Sequence, residues 1–180
     1  MKKLIALIIV IGSAHFATSQ MSQGALMIGG NFQLNYQSGN STSTTSFALA
    51  PTAGLFLVEN MGIGASLGYY SQSSKINGNS AGSSSSLYIS PFSRYYFSGN
   101  AFGQFDIPIN LTKNPSYIFG SKLKLGYDIF ISDAVAIEPG FYAGFYFGTN
   151  PTTNNPNDNL KYQYMSAGLD ISFQIFLNRK

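Results

Sequence analysis

At 180 residues the chain is long enough for one domain, and at 9% charged residues it lacks the charge of an ordinary water-clad domain, about 25%. It has no cysteine, which excludes disulfide staples and thiolate metal sites. Its formal charge of +3 falls by two to +1 when Lys2 and Lys3 are set aside, and the remaining cations are scattered, which argues against a basic stripe for nucleic acid.

The chain opens with the layout of an export leader. Lys2 and Lys3 precede an apolar run from Leu4 to Ile11, and Ala17-Thr18-Ser19 has the small-x-small form of a cleavage site. Residues 1–19 are therefore expected to be a signal peptide and residues 20–180 the mature domain. The apolar run is too short for a bilayer core, which takes about 20 residues.

From Gly24 to Leu177 the pattern has a period of two, which puts alternate residues on opposite faces of a strand. Residues 25–36 set Leu26, Ile28, Phe32, Leu34 and Tyr36 against Met27, Gly29, Asn31 and Asn35. Residues 47–57 share Phe47, Leu49, Pro51, Ala53, Leu55 and Leu57 on one face, and residues 61–70 share Met61, Ile63, Ala65, Leu67 and Tyr69. The fourth segment, 87–97, is mixed, with Leu87, Ile89, Tyr95 and Phe97 facing one way. Segment 101–111 sets Phe105, Ile107, Ile109 and Leu111 against Gln104, Asp106 and Asn110. Segment 117–131 opposes Leu123, Leu125 and Tyr127 to Lys122, Lys124 and Asp128, and 135–147 opposes Ile137 and Phe141 to Glu138 and Gly140. The eighth, 162–177, sets Leu169, Ile171, Phe173 and Ile175 against Gly168, Asp170, Ser172 and Gln174, with Tyr162 and Tyr164 out of phase, as at a bulge.

Links alternate in length. Those at 37–46, 71–86 and 148–159 are rich in Ser, Thr, Asn and Gly and read as long loops; 58–60, 98–100 and 132–133 read as tight turns, and 113–116 is short. One repeat, Phe47-Ala-Leu-Ala-Pro51 against Leu87-Tyr-Ile-Ser-Pro91, recurs after 40 residues, one hairpin plus its loop. Pro51, Pro91, Pro108 and Pro139 fall inside proposed strands and lack an amide donor, so local interruptions are expected beside them.

The bulky apolar face has to point outward. The opposite face is mostly Gly, Ser, Ala and Asn with Arg94, Lys122, Lys124, Asp106, Asp128, Glu138 and Asp170, too few charges to clothe a wet exterior. Eight strands enclose an interior just wide enough for side chains, where small residues and balanced charges fit. Tyr and Phe gather near strand ends, at Tyr36, Tyr69-Tyr70, Tyr95-Tyr96-Phe97, Phe145-Tyr146-Phe147, Tyr162 and Tyr164, as an aromatic girdle would require. The expected fold is all-β: an eight-stranded antiparallel up-and-down transmembrane β-barrel. With a long first link outside, both termini fall on the inner, periplasmic side.

The only histidine, His15, lies in the expected leader, which leaves the mature chain without imidazole bases or the usual nucleophilic pairs. The interior carboxylates read as partners in salt bridges, and the lone Asp158 is a weak hard-cation site. No catalytic, cofactor-binding or metal residue is assigned, and an enzyme is not expected.

Pro91-Phe-Ser-Arg94-Tyr-Tyr-Phe97 and Gly168-Leu-Asp-Ile-Ser-Phe173 resemble the outer-membrane β-barrel domain of Bacteroidota. Strand number and loop asymmetry resemble the OmpA/OmpX-type and opacity-like small barrels. The resemblance covers the mature chain. It implies a cell outer membrane location in a Gram-negative envelope, contact with outer-membrane lipid and lipopolysaccharide, and delivery by the barrel-assembly machinery. Ser166-x-Gly168-x-x-Ile171-x-Phe173 is similar to that machinery's last-strand signal, although the chain ends Leu177-Asn-Arg-Lys180 rather than on an aromatic residue. The expected role is structural or surface-interacting, adhesion-like, with a side-chain-filled lumen. A narrow porin-like channel is the alternative; a soluble lipocalin-like binder and a lipid-modifying enzyme stand behind it.

Overall fold

The computed structural model describes residues 21–39, 41–112, 119–148 and 161–178; the expected leader, the link at 113–116 and most of that at 148–159, Asp158 included, lie outside them. Among the described residues the chain forms strands and no helix. The strands are β1 (Leu26–Ser38), β2 (Thr42–Val58), β3 (Met61–Ile76), β4 (Asn79–Ser98), β5 (Ala101–Asp106, resuming at Ile109–Asn110), β6 (Phe119–Tyr127, resuming at Ile129–Phe130), β7 (Val135–Gly148) and β8 (Lys161–Leu177). Each pairs antiparallel with the next. β8 returns to β1 between Leu26–Leu177 and Gly30–Phe173, which makes a closed eight-stranded antiparallel barrel.

The period of two sorts the side chains as expected. Leu49, Ile63, Leu67, Leu123, Leu125, Phe141 and Ile171 are exposed on the outside. Arg94, Gln104, Asp106, Lys124, Glu138, Ser172 and Gln174 are buried inside. The barrel therefore wears its apolar face outward.

Two of the expected long loops are instead hairpin strands. Residues 42–46 belong to β2, and 71–76 and 79–86 carry β3 and β4 outward as a ribbon. Ser and Thr there supply no apolar half to the alternation, yet they pair across strands. Thr44 and Ser74 hydroxyls lie 3.2 Å apart, and lower down Thr52 and Ser66 lie 2.8 Å apart. Asn77 (φ 51°) and Gly78 (φ 81°) both take the left-handed conformation that a two-residue type I′ hairpin turn requires.

The prolines meet interruptions. β5 breaks at Ile107-Pro108, beside Pro91, whose carbonyl accepts the Ile107 N–H at 2.9 Å. A residue's N–H and C=O face the same neighbour in an antiparallel sheet, so the donor missing from Pro91 falls where β5 already departs from the ladder. Pairing of β2 with β3 skips Ala50-Pro51, passing from Leu49–Tyr69 to Thr52–Ser66. Pro139 lies against the break in β6 at Asp128, between the pairs Gly126–Gly140 and Ile129–Ile137.

The lumen is not filled by small and ionic residues throughout. At the tight-turn end Met27, Phe56, Tyr96, Phe102 and Phe176 form a buried apolar plug, with Phe130 packed against it. Tyr96 stands 5.6 Å from Phe102 and Phe56 stands 6.4 Å from Phe176, centroid to centroid. The segment before β1 seals this end: Gly24 N–H donates to Phe56 O at 2.8 Å and Asn60 N–H to Met21 O at 2.9 Å. Each large side chain buried there contributes about 1.5–3 kcal/mol. Interior rings lie over directly paired glycines, as in Phe56–Gly62, Phe92–Gly64, Tyr88–Gly68, Phe102–Gly126 and Tyr142–Gly168. The absent Cβ is the space the ring occupies. Tyr96 thus leaves the expected girdle: in a period-two strand its neighbours Tyr95 and Phe97 face out and it faces in.

Candidate functional site

Above the plug sits a charged layer whose members are all even-numbered, because those strands share one inward parity. All seven charges expected inside line this part of the barrel or sit at its lower edge. Arg94 on β4 reaches across the lumen to Glu138 on β7, past two intervening strands, donating at 2.5 Å to Oε1 and 3.1 Å to Oε2. Both side chains are sealed, at 2% and 0% exposure. This is a bidentate fork, the geometry in which guanidinium and carboxylate match best.

Further groups fix the fork from both sides. Arg94 Nε donates to Gln104 Oε1 at 2.7 Å, and Gln104 Nε2 donates to Asp106 at 3.0 Å. The guanidinium stacks over the Phe102 ring at 3.9 Å, so the plug's upper surface is also a cation seat. Tyr96 hydroxyl accepts from Arg94 at 3.2 Å and donates to Asp128 at 2.6 Å. Ser172 donates to Glu138 at 3.1 Å and accepts from Lys124 at 3.1 Å. Lys124 also holds Asp170 at 3.1 Å, again across an intervening strand. Lys122 meets Asp106 at a longer 3.8 Å.

Such a network braces the cylinder from within. A strut between β4 and β7 and another between β6 and β8 fix strands that share no ladder. Beside the struts lies a cavity of about 50 Å³ lined by Thr52, Ser66, Ser90, Lys122 and Asp170 among others. It is polar and large enough for water, which needs at least about 10–15 Å³. Its lining offers ion pairs, hydroxyls and room for water, with Ser172 within hydrogen-bond distance of both Lys124 and Glu138.

The charged partners were legible in the sequence, as were Gln104, Ser172 and Gln174 on the same face; Tyr96, read as part of the girdle, was the companion missed. Gln104, Ser172, Gln174 and Tyr96 carry the same parity as the charges, and that parity alone was enough to place them in the lumen. Asp128 departs from the even ladder in one respect: it occupies the break in β6, from which its carboxylate meets Tyr96. The chain matches no protein-family model, no curated protein and no solved structure.

Proposed function

We propose that this protein is an integral outer-membrane β-barrel with a structural or surface-interaction role and a lumen closed by side chains. One observation carries the reading: an apolar belt runs around the whole outside, from Leu26 and Leu34 on β1 to Leu169 and Phe173 on β8, while the ion pairs sit within. Soluble monomers rarely expose a contiguous apolar patch beyond a few hundred Å². In lipid the same belt is satisfied, and the barrel pairs its backbone groups strand to strand, the β1–β8 seam above Gly30–Phe173 excepted.

Strand length supports it. A tilted strand crosses a bilayer with about 9–11 residues, whereas β4 has 20 and β2 has 17. The excess lies at the Ser/Thr-rich end, where the β3–β4 ribbon would stand clear of the lipid on the cell exterior. That ribbon, with the residues around Gly39, is the proposed contact surface; lipopolysaccharide would surround its base. The upper Ser166 to Phe173 stretch of β8 would serve the assembly machinery. A leader and a periplasmic turn end complete the topology.

Membrane fractionation with comparison of unboiled and boiled samples on a gel tests the reading. The expected result is recovery in the outer membrane and a faster-migrating unboiled band. A soluble periplasmic protein without a shift would replace it with a lipocalin-like binder. The charged lumen favours one second reading, a narrow channel. Planar-bilayer recording separates the two: steady conductance altered by Arg94→Ala supports the channel, and silence supports the plug.

A further inference from the structure

The ladder that closes the barrel is only half made. β1 pairs with β2 along its full length, up to Ser38–Ser43, and β8 pairs with β7 up to Lys161–Gly148. Between β1 and β8, pairing runs from Leu26–Leu177 to Gly30–Phe173 and stops. Above it, Asn31–Ser38 and the facing part of β8 form two lips, each held by its outer neighbour, with no ladder pair between them among the described residues.

This opening lies at the depth of the apolar belt. Phe32 and Ile171, which would be opposite one another if the Gly30–Phe173 register continued, are 63% and 61% exposed. Leu169, one step higher, is 83% exposed. Unpaired strand edges at this depth are costly in lipid, so the gap calls for an occupant or an aqueous lining. Between the lips is a cavity of about 380 Å³. Its outer rim is Phe32, Leu169 and Ile171, and its inner wall includes Lys122, Tyr142 and Ser166.

The wall has a cation to offer. Lys122 is 28% exposed, and its 3.8 Å approach to Asp106 is long for a charge-assisted bond of about 2.7–2.9 Å. Asp170, also on the wall, is already engaged by Lys124 at 3.1 Å. The volume equals roughly a dozen water-sized units of about 30 Å³, enough for a small head and the first methylenes of one chain.

We propose that the β1–β8 seam is a lateral portal that takes the head of a single-chain anionic amphiphile, a long-chain fatty carboxylate, from the membrane onto Lys122. The tail lies between Phe32, Leu169 and Ile171 and continues into lipid. The proposal rests on the membrane reading above.

The test uses the mature protein in phosphatidylcholine nanodiscs with a long-chain fatty acid carrying a mid-chain photoactivatable diazirine, the adducts being mapped by mass spectrometry. Labelling at Phe32, Leu169 and Ile171 is expected to exceed that at Leu67, an outward residue of β3, at least fivefold. Lys122→Gln should reduce the excess at least threefold. On unmutated protein the matching long-chain alcohol should label all these positions alike, a comparison that does not depend on any variant folding. A Phe32→Cys/Ile171→Cys disulfide should bring Leu169 down to the level of Leu67, with recovery on reduction. Uniform labelling by the fatty acid, equal preference for the alcohol, or undiminished labelling of the locked seam would each overturn the portal. A two-chain phosphatidic acid probe that labels the seam as strongly would overturn the single-chain assignment, and seam-to-seam crosslinks between two copies would replace the portal with strand addition. Failure to enter nanodiscs would instead count against the membrane reading itself.

Discussion

Replacing Glu138 with Gln tests the strut most sharply. Glu138 accepts two bonds from Arg94 and one from Ser172, with Gln174 at 3.4 Å and Lys124 at 4.0 Å. The amide keeps one acceptor oxygen but turns an NH2 toward donors, so at least one fork bond is lost and Arg94 stays buried without its counter-charge. A hydrogen bond to a charged group is worth about 1.5–3 kcal/mol, and breaking one side of a buried pair costs about 3–5 kcal/mol. Because Gln104, Tyr96 and the Phe102 face still hold Arg94, a loss of about 3 kcal/mol is expected. Urea unfolding in lipid vesicles, followed by the fraction of unboiled fast-migrating band, reads it. The double variant Arg94→Met/Glu138→Leu removes both charges and should be less destabilised than the sum of the singles by about 2–3 kcal/mol. A Glu138→Gln cost under about 1 kcal/mol, or strict additivity, would refute the strut.

Other predictions concern packing, turns and conduction. Gly126→Ala puts a Cβ into the Phe102 ring and should cost about 1–3 kcal/mol in the same unfolding assay, with part of the loss recovered by adding Phe102→Leu. Gly78→Ala strains a left-handed turn by about 1–2 kcal/mol. Since the turn caps a ribbon beyond the belt, faster protease cleavage near residues 77–78 on intact cells is expected while the gel shift persists. Cleavage at 99–100 instead would invert the topology. In planar bilayers the plug of Phe56, Phe102 and Phe176 beneath the Arg94–Glu138 strut should keep the unmodified protein silent.

Strand number, parity and the inward placement of all seven charges could be read from the chain because a barrel wall imposes one rule, alternation, on every residue. The Ser/Thr hairpins escaped that rule. Residues 71–76 and 79–86 have no apolar face, so they resembled loop, although Asn77-Gly78 is a strong local hairpin signal. The aromatic plug was equally hidden. Phe56, Tyr96 and Phe102 carry inward parity, but reading the lumen as small and ionic ignored that facing glycines open room for rings. The proline breaks were anticipated as a need. Their pairing, with Pro91 against the gap at Ile107-Pro108, depends on register between strands and is not written in either strand alone. The open seam likewise belongs to the meeting of the two ends of the chain.

Single nitroxide labels placed through cysteine, of which the chain has none of its own, test the central claim most directly. In lipid vesicles, Leu67, Leu123 and Phe141 should be relaxed strongly by oxygen, which concentrates in lipid, and weakly by a water-soluble nickel chelate. Ready access of the chelate to those three positions would mean that water, not lipid, bathes the apolar belt.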